Sequence, residues 1–182
     1  MLANLRPALV FVAFFTLLTG IAYPLAMTAV AQAVFPVQAG GSLLERDGVT
    51  VGSSLIGQAF SRDSYFHGRP SAVGYDASTS SGSNYGPSSA ALLDQVRERA
   101  AAYGGSGVPA DLVTASGSGL DPDLSLPGAL AQVPRVAAAR VMPEAQVRDL
   151  VAAHARQRDL GILGEPRVNV LALNLALDAQ QQ

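Results

Sequence analysis

Between Pro7 and Leu44 the chain has no charged side chain, and Ala8 to Phe35 is almost wholly apolar. A helix needs about 20 such residues to cross the hydrocarbon of a bilayer. The run therefore reads as one transmembrane helix with a turn or two to spare, closed by Phe35-Pro36. Arg6 and the α-amino group precede it, whereas Glu45, Arg46 and Asp47 follow with no local excess of arginine. The positive-inside bias places the N-terminus in the cytoplasm and the remaining chain on the other side. Pro24 removes one backbone hydrogen bond within the span and predicts a kink there. Thr16, Gly20, Ala22, Ala26, Ala29 and Ala33 are small enough for a second helix to come close, so Gly20 and Pro24 are candidate partner contacts. The rival reading is a cleaved signal peptide, with Ala29-Val30-Ala31 as the cleavage pattern. The apolar run is roughly twice the usual 7–15 residues of such a segment, which favours a retained anchor.

The chain is expected to divide into an anchor, 1–36, and one compact α+β domain, 37–182, outside the cytoplasm. A stretch of that length can bury a core unaided. With a net charge of −2 and no lysine among its basic residues, the chain offers no electrostatic footprint for nucleic acid. Zero cysteine excludes disulfides, thiol catalysis and cysteine zinc sites. Val37–Gly41 reads as a connector. Leu43-Leu44 and Val49–Val51 suit a hairpin turning at Asp47-Gly48. Phe60–Tyr75 is loop-like and rich in aromatic residues, and Asp76–Ser89 is either a flexible linker or an ordered surface loop.

Ser88 or Ser89 can cap a helix over Ala90–Tyr103, stopped by Gly104-Gly105, with Leu92, Leu93, Val96 and Ala100 inward. Val108–Thr114 reads as a strand. Ser125 caps a helical piece interrupted at Pro134 and resumed through Arg135–Val141. Pro143 suits the first position of a helix from Glu144 to about Arg158, with Val147, Leu150 and Val151 inward and His154 at the boundary. Val168–Leu177 reads as strand first and then helix.

Several chemistries have no support. A phosphate loop of the Walker type needs a lysine, and there is none. Gly117-Ser118-Gly119 lacks the flanking spacing of a nucleophile elbow. His67 and His154 stand far apart without metal-ligand spacing. Asp111, Asp121 and Asp123 read as turn caps rather than an acid/base pair, and Val73-Gly74-Tyr75 only echoes the carbonyl filter of potassium channels.

A set of motifs in order along nearly the whole chain resembles the C subunit of the bacterial Kdp potassium-transporting P-type ATPase. Leu5-Arg6-Pro7-Ala8 and Ser54-Leu55-Ile56-Gly57-Gln58 come first, then Tyr65-Phe66-His67-Gly68-Arg69-Pro70-Ser71-Ala72. Ser81-Gly82-Ser83-Asn84, the run Asp111 to Asp121 and Pro134-Arg135-Val136-Ala137 follow. Asn169-Val170-Leu171 and Leu173-Asn174-Leu175-Ala176-Leu177-Asp178 complete the set. The resemblance implies a non-catalytic, single-pass subunit of the bacterial inner membrane, with its domain on the periplasmic or extracellular side. It implies two partners, a potassium-channel-like subunit and a P-type ATPase subunit. It also implies a catalytic chaperone that raises affinity for ATP, with ATP binding by the C subunit itself.

The topology sets the domain across the membrane from cytoplasmic ATP, so an effect on ATP affinity has to pass through coupled conformations. Tyr65, Phe66, His67 and Arg69 include residue types enriched in interface hot spots, which makes this segment the preferred docking surface; the equal alternative is a packed turn with Tyr65 and Phe66 in the core. Two alternatives remain on the residues alone. One is an anchored exported hydrolase using a serine of Ser116–Asp121. The other is a domain that gathers potassium, although its acidic residues are scattered in sequence.

Overall fold

The computed structural model describes residues 4–180, and the chain divides into two compact units between Leu43 and Leu44. The first unit holds α1 (Leu5–Leu17), a π-helical turn (Leu18–Ala22), α2 (Tyr23–Val34) and the single-turn α3 (Pro36–Ala39). Leu5–Val34 is one continuous helix of 30 residues, with an 18-residue window of mean hydropathy 2.1. None of its residues is buried. At 1.5 Å per residue it is about 45 Å long, more than a bilayer's hydrocarbon needs.

The irregularity expected at Pro24 takes the form of the π turn just before it. Proline brings no N–H, so the carbonyl one turn earlier loses its usual partner. The ladder widens instead, and Tyr23 N–H donates to the Leu18 carbonyl. Thr19 Oγ1 adds a bond to the Phe15 carbonyl at 2.7 Å. The helix stops at Phe35, whose backbone leaves the helical region (φ −132°, ψ 60°).

The second unit opens with β1 (Leu43–Arg46) and β2 (Val49–Ser53), which form a two-stranded sheet. Asp47 and Gly48 both have positive φ, 54° and 74°. That pair of values belongs to the tight hairpin turn expected of Asp-Gly. A long irregular segment then leads to α4 (Ala90–Ala101) and the one-turn α5 (Ala110–Val113). Next come β3 (Asp123–Ser125), α6 (Leu126–Arg140), α7 (Glu144–Ala153) and β4 (Ala155–Arg156). The last described elements are β5 (Arg167–Asn169) and α8 (Val170–Ala179). β5 is the central strand of an antiparallel sheet ordered β3-β5-β4, with Leu124 opposite Val168 and Ala155 opposite Val168.

Two of these strands pass straight into helices, and each junction is capped. Ser125 Oγ accepts from Gly128 N–H at 3.0 Å, and Asn169 Oδ1 accepts from Ala172 N–H at 3.0 Å. The core joins Val133, Val136 and Ala137 of α6 with Val147 and Val151 of α7 and Leu173 and Leu177 of α8. Leu124, Val168 and, from the irregular segment, Phe66 pack into it as well. Val168–Leu177 is thus strand and then helix, as read from the sequence.

Four readings of local structure change. Val108–Thr114 holds a helical turn rather than a strand: Pro109 enters it, and Thr114 N–H and Oγ1 both donate to the Ala110 carbonyl, at 2.9 and 2.6 Å. α6 runs unbroken through Pro134. Pro134 lies on the exposed side of the helix, so the lost hydrogen bond falls where water can replace it. Ala129, Val133, Val136 and Ala137 meanwhile stay packed on the buried side. α7 ends at Ala153 rather than near Arg158, because Ala155-Arg156 pairs with β5. In α4 no residue is buried and Leu93, expected inward, is exposed. His154 sits half-buried at the end of α7, with a ring nitrogen 2.9 Å from the Leu150 carbonyl.

Candidate functional site

The segment from Phe60 to Tyr75 has no regular secondary structure, so its backbone polar groups need partners from elsewhere. Two buried amides supply them at its centre. Asn174 of α8 accepts from Phe66 N–H at 2.9 Å and donates to the Phe66 carbonyl at 3.0 Å. Gln132 of α6 accepts from His67 N–H at 2.9 Å and donates to the His67 carbonyl at 2.9 Å. Two helices thus grip consecutive residues, each amide imitating the edge of a strand. With its backbone satisfied, Phe66 puts its ring fully into the core, at 0% exposure.

Tyr65, just before, lies at the surface end of the same construction. Its hydroxyl donates to Asp178 Oδ2 at 3.0 Å and accepts from Arg62 Nη2 at 3.0 Å. The guanidinium carbons of Arg62 and Arg140 lie 4.6 and 4.9 Å from its ring centroid, and the Phe60 ring is 5.6 Å away. Asp178 also takes Arg140 Nη2 at 2.8 Å and Arg46 Nη1 at 2.6 Å. Arg140, with only 4% of its side chain exposed, donates through Nε to the Ser64 carbonyl at 2.6 Å. Burial alone would raise the Asp178 carboxyl. The bonds from Arg140, Tyr65 and Arg46 outweigh it and hold the group below the usual carboxylate range.

A cavity of about 260 Å³ opens beside this cluster, lined by Val51, Phe60, Arg62, Tyr65, Leu171 and Leu175 among others. His67 is half-buried, with Nε2 3.1 Å from the Arg62 carbonyl. Burial first, and then the nearby Arg135 guanidinium, push its imidazole below the ordinary value.

Arg69 belongs to a separate arrangement. Its Nη1 meets Asp121 Oδ2 at 3.1 Å, and its Nε is buried with no hydrogen-bond partner among the described residues. The neighbouring loops are stitched tightly. Tyr75 hydroxyl donates to the Arg69 carbonyl at 2.6 Å, Ser71 Oγ donates to the Gly119 carbonyl at 2.7 Å, and Ser116 N–H reaches the Pro70 carbonyl at 3.0 Å. Burial, with the Asp121 carboxylate, pushes the Tyr75 phenol up to about 12. Gly119 shows why the Ser-Gly stretch is built of small residues. Its φ is +69°, and a Cβ there would come within 2.6 Å of Val73 Cγ2 and 2.7 Å of the Ser81 carbonyl. The Val73-Gly74-Tyr75 segment is a turn, with positive φ at Gly74 and Tyr75. Asp76–Ser89 is an irregular surface loop pinned to this region by Ser80 Oγ, which donates to the Ser118 carbonyl at 3.1 Å.

Ser116, one of the serines considered for hydrolysis, is 2% exposed and its Oγ has no hydrogen-bond partner among the described residues. The acidic residues that look scattered in sequence partly converge. Asp111, Asp121, Asp123 and Glu165 line one cavity of about 300 Å³ together with Arg69 and Arg167. Their charge is largely engaged: Asp121 pairs with Arg69, Asp123 with Arg167 at 3.2 Å, and Asp111 accepts from Ser125 N–H. Asp121 Oδ1 also accepts from Asp123 N–H at 3.1 Å, the turn-capping role expected of it. Among the described residues no group of three His, Cys, Asp or Glu side chains could hold a metal ion.

The structure therefore groups Tyr65 with Asp178 and Arg140, puts Phe66 in the core, and places Arg69 in the second network. Gly20 lies within the π turn and Pro24 at the start of α2. Gln132, Arg140 and Arg62 belong to the site without a motif that marks them in the sequence. A glutamine on the buried side of a helix, two residues before an exposed proline, carries no local signal of its own.

The described residues form one helix long and apolar enough to cross a membrane, followed by a small α+β unit, the architecture of a single-helix, membrane-anchored class. Residues 5–179 match the family model described as KdpC, the c chain of K+-transporting ATPase. The Potassium-transporting ATPase KdpC subunit of Methylobacterium nodulans is 59% identical over 196 residues, covering 98% of each chain. Those of Methylorubrum extorquens and Caulobacter vibrioides are 57% and 58% identical, covering 97% of each chain and 99% and 95% respectively. The chain belongs to the KdpC family, the c chain of potassium-transporting ATPases. The other subunits of that complex are accordingly its partners.

Proposed function

We propose that this chain is a non-catalytic accessory subunit of an ATP-driven potassium uptake complex, holding a channel-like subunit and an ATP-hydrolysing P-type subunit together. The observation that carries this reading is the match over residues 5–179, which takes in the apolar helix and the folded unit alike. The 30-residue helix with no buried residue supports it, since such a surface is stable against lipid or another helix. Gly20 and Pro24 mark the stretch where a partner helix sits. On the folded unit, Tyr65, His67 and Arg69 mark the docking surface, and Phe66 fixes that surface from inside.

The unit acts as a catalytic chaperone, raising the affinity of the ATPase subunit for ATP through coupled conformations rather than by touching nucleotide. In purified complex, omitting this chain raises the KM for ATP about tenfold with a smaller change in kcat, as a coupling of typical size predicts. An unchanged KM in complex that retains the other subunits defeats the chaperone role. The N-terminus faces the cytoplasm and the folded unit lies outside. A cysteine introduced at Ser83 in the Asp76–Ser89 loop reacts in intact cells with a thiol reagent that cannot cross the membrane. Labelling only after the membrane is opened overturns this orientation.

A further inference from the structure

The cavity beside Tyr65 is lined by one arginine, Arg62, and one carboxylate, Asp178, and two further arginines bond that carboxylate. Arg46, Arg62 and Arg140 converge on the Tyr65–Asp178 pair, and Asp178 is the single carboxylate among them. Asp47 approaches Arg46 only at 3.8 Å from an exposed position, and Asp63 lies toward Arg135 at 3.9 Å. Asp178 is already saturated by two arginines and a hydroxyl.

Arg62 is the unspent group. It is exposed, rests on the Tyr65 ring and gives one hydrogen bond, to the Tyr65 hydroxyl. Among the described residues no carboxylate lies within ion-pair distance of it. A guanidinium has five N–H donors in a planar fork that fits a carboxylate in two-pronged fashion. Contact with the ring and the bond to its hydroxyl already restrict that fork, so less freedom is lost when a partner arrives. Beside it, Val51, Phe60, Leu171 and Leu175 give the cavity apolar walls. At about 260 Å³ the space is below the usual range of roughly 300–1,000 Å³ for small-molecule pockets. It suits one side chain and its neighbour better than a nucleotide.

We propose that this cavity receives an acidic side chain with an adjacent apolar residue, presented by another subunit of the complex, and that Arg62 pairs with the carboxylate. The inference rests on the docking reading given above and names the chemistry of the partner at that surface. Its test uses the tagged full chain co-expressed with the other subunits and purified in mild detergent at increasing sodium chloride.

Arg62→Glu reduces the partner subunits retained about tenfold. Arg62→Gln reduces them about threefold and flattens the dependence on salt, and Arg62→Lys keeps most of the retention. Arg97→Glu is the control, since Arg97 is exposed and among the described residues pairs with Asp94 three residues earlier; it behaves as the unaltered chain. Melting of each variant chain is followed in parallel, and if Arg62→Glu destabilises the fold the neutral Arg62→Gln decides alone.

Retention by Arg62→Gln equal to the unaltered chain at every salt concentration overturns the proposal. If Tyr65→Ala loses the partners while Arg62→Gln keeps them, the docking surface stands and the acidic partner does not. If neither variant loses them, both fall. Inorganic phosphate that strips the partners far more than chloride of equal ionic strength marks a free-anion site and also overturns the proposal. Equal effects of the two salts support it.

Discussion

Replacing Asp178 with alanine lowers the stability of the folded unit by about 3–5 kcal/mol, the usual cost of leaving a buried charge without its partner. The charge left behind is Arg140, of which 4% of the side chain is exposed. Arg46 and the Tyr65 hydroxyl lose the same acceptor. For a unit of this size roughly 4 °C is lost per kcal/mol, so the melting temperature of the detergent-solubilised chain falls by about 12–20 °C.

The effect carries a pH signature with a definite sign. The Asp178 carboxyl is held below its ordinary value in the folded state, so its contribution is complete above the unfolded carboxylate range. It is lost as pH falls through the lowered folded value. The gap in melting temperature between the unaltered chain and Asp178→Ala is therefore constant from about pH 6 to 8 and closes in acid. A gap of less than about 1 kcal/mol at neutral pH, read by circular dichroism, contradicts the structural role given to this carboxylate.

The second large effect concerns the two amides that grip Phe66 and His67. Gln132→Leu leaves the His67 N–H and carbonyl without their side-chain partner and also removes the acceptor of Arg135 Nη2 at 2.7 Å. At roughly 1–3 kcal/mol for each buried group left unsatisfied, the loss is about 4 kcal/mol. Asn174→Leu does the same to Phe66, at similar cost. The two losses are not additive, because one release already frees the short segment that the other amide holds. The double variant costs about 2 kcal/mol less than the sum. Urea unfolding of the two single variants and the double variant measures this directly. Additive losses, or single losses below about 1 kcal/mol, mean that the amides do not hold the segment as a unit.

What could be read from the sequence was set by local chemistry. The charge-free run, the Asp47-Gly48 turn, the Ser125 cap and the strand-then-helix change after Asn169 each depend on residues a few positions apart. The errors arise where the local pattern admits two structures. Pro134 looks like a helix breaker until its exposed position is known, and Val108–Thr114 resembles a strand until the Thr114–Ala110 bonds are seen. The candidate site was legible only in outline. Tyr65–Arg69 stood out by composition, but its supports at Gln132 and Asn174 are 65 and 108 residues away in sequence. A polar residue within a helix looks like surface until its partner is known. The division of the segment, with Phe66 inward, Tyr65 on the Asp178 cluster and Arg69 in a second network, is likewise set by those distant contacts.

The Arg46–Asp178 bond joins residues 132 positions apart, and that separation bears on how the protein is made. A ribosome has to deliver α8 before Arg46, Tyr65 or Phe66 can meet its partner there. The apolar helix is synthesised long before that moment and can enter lipid while the folded unit is still open. During this interval the future core, including Phe66, is exposed and α6 and α7 lack the helix that closes them. Maturation of this subunit is thus timed by the arrival of one late helix.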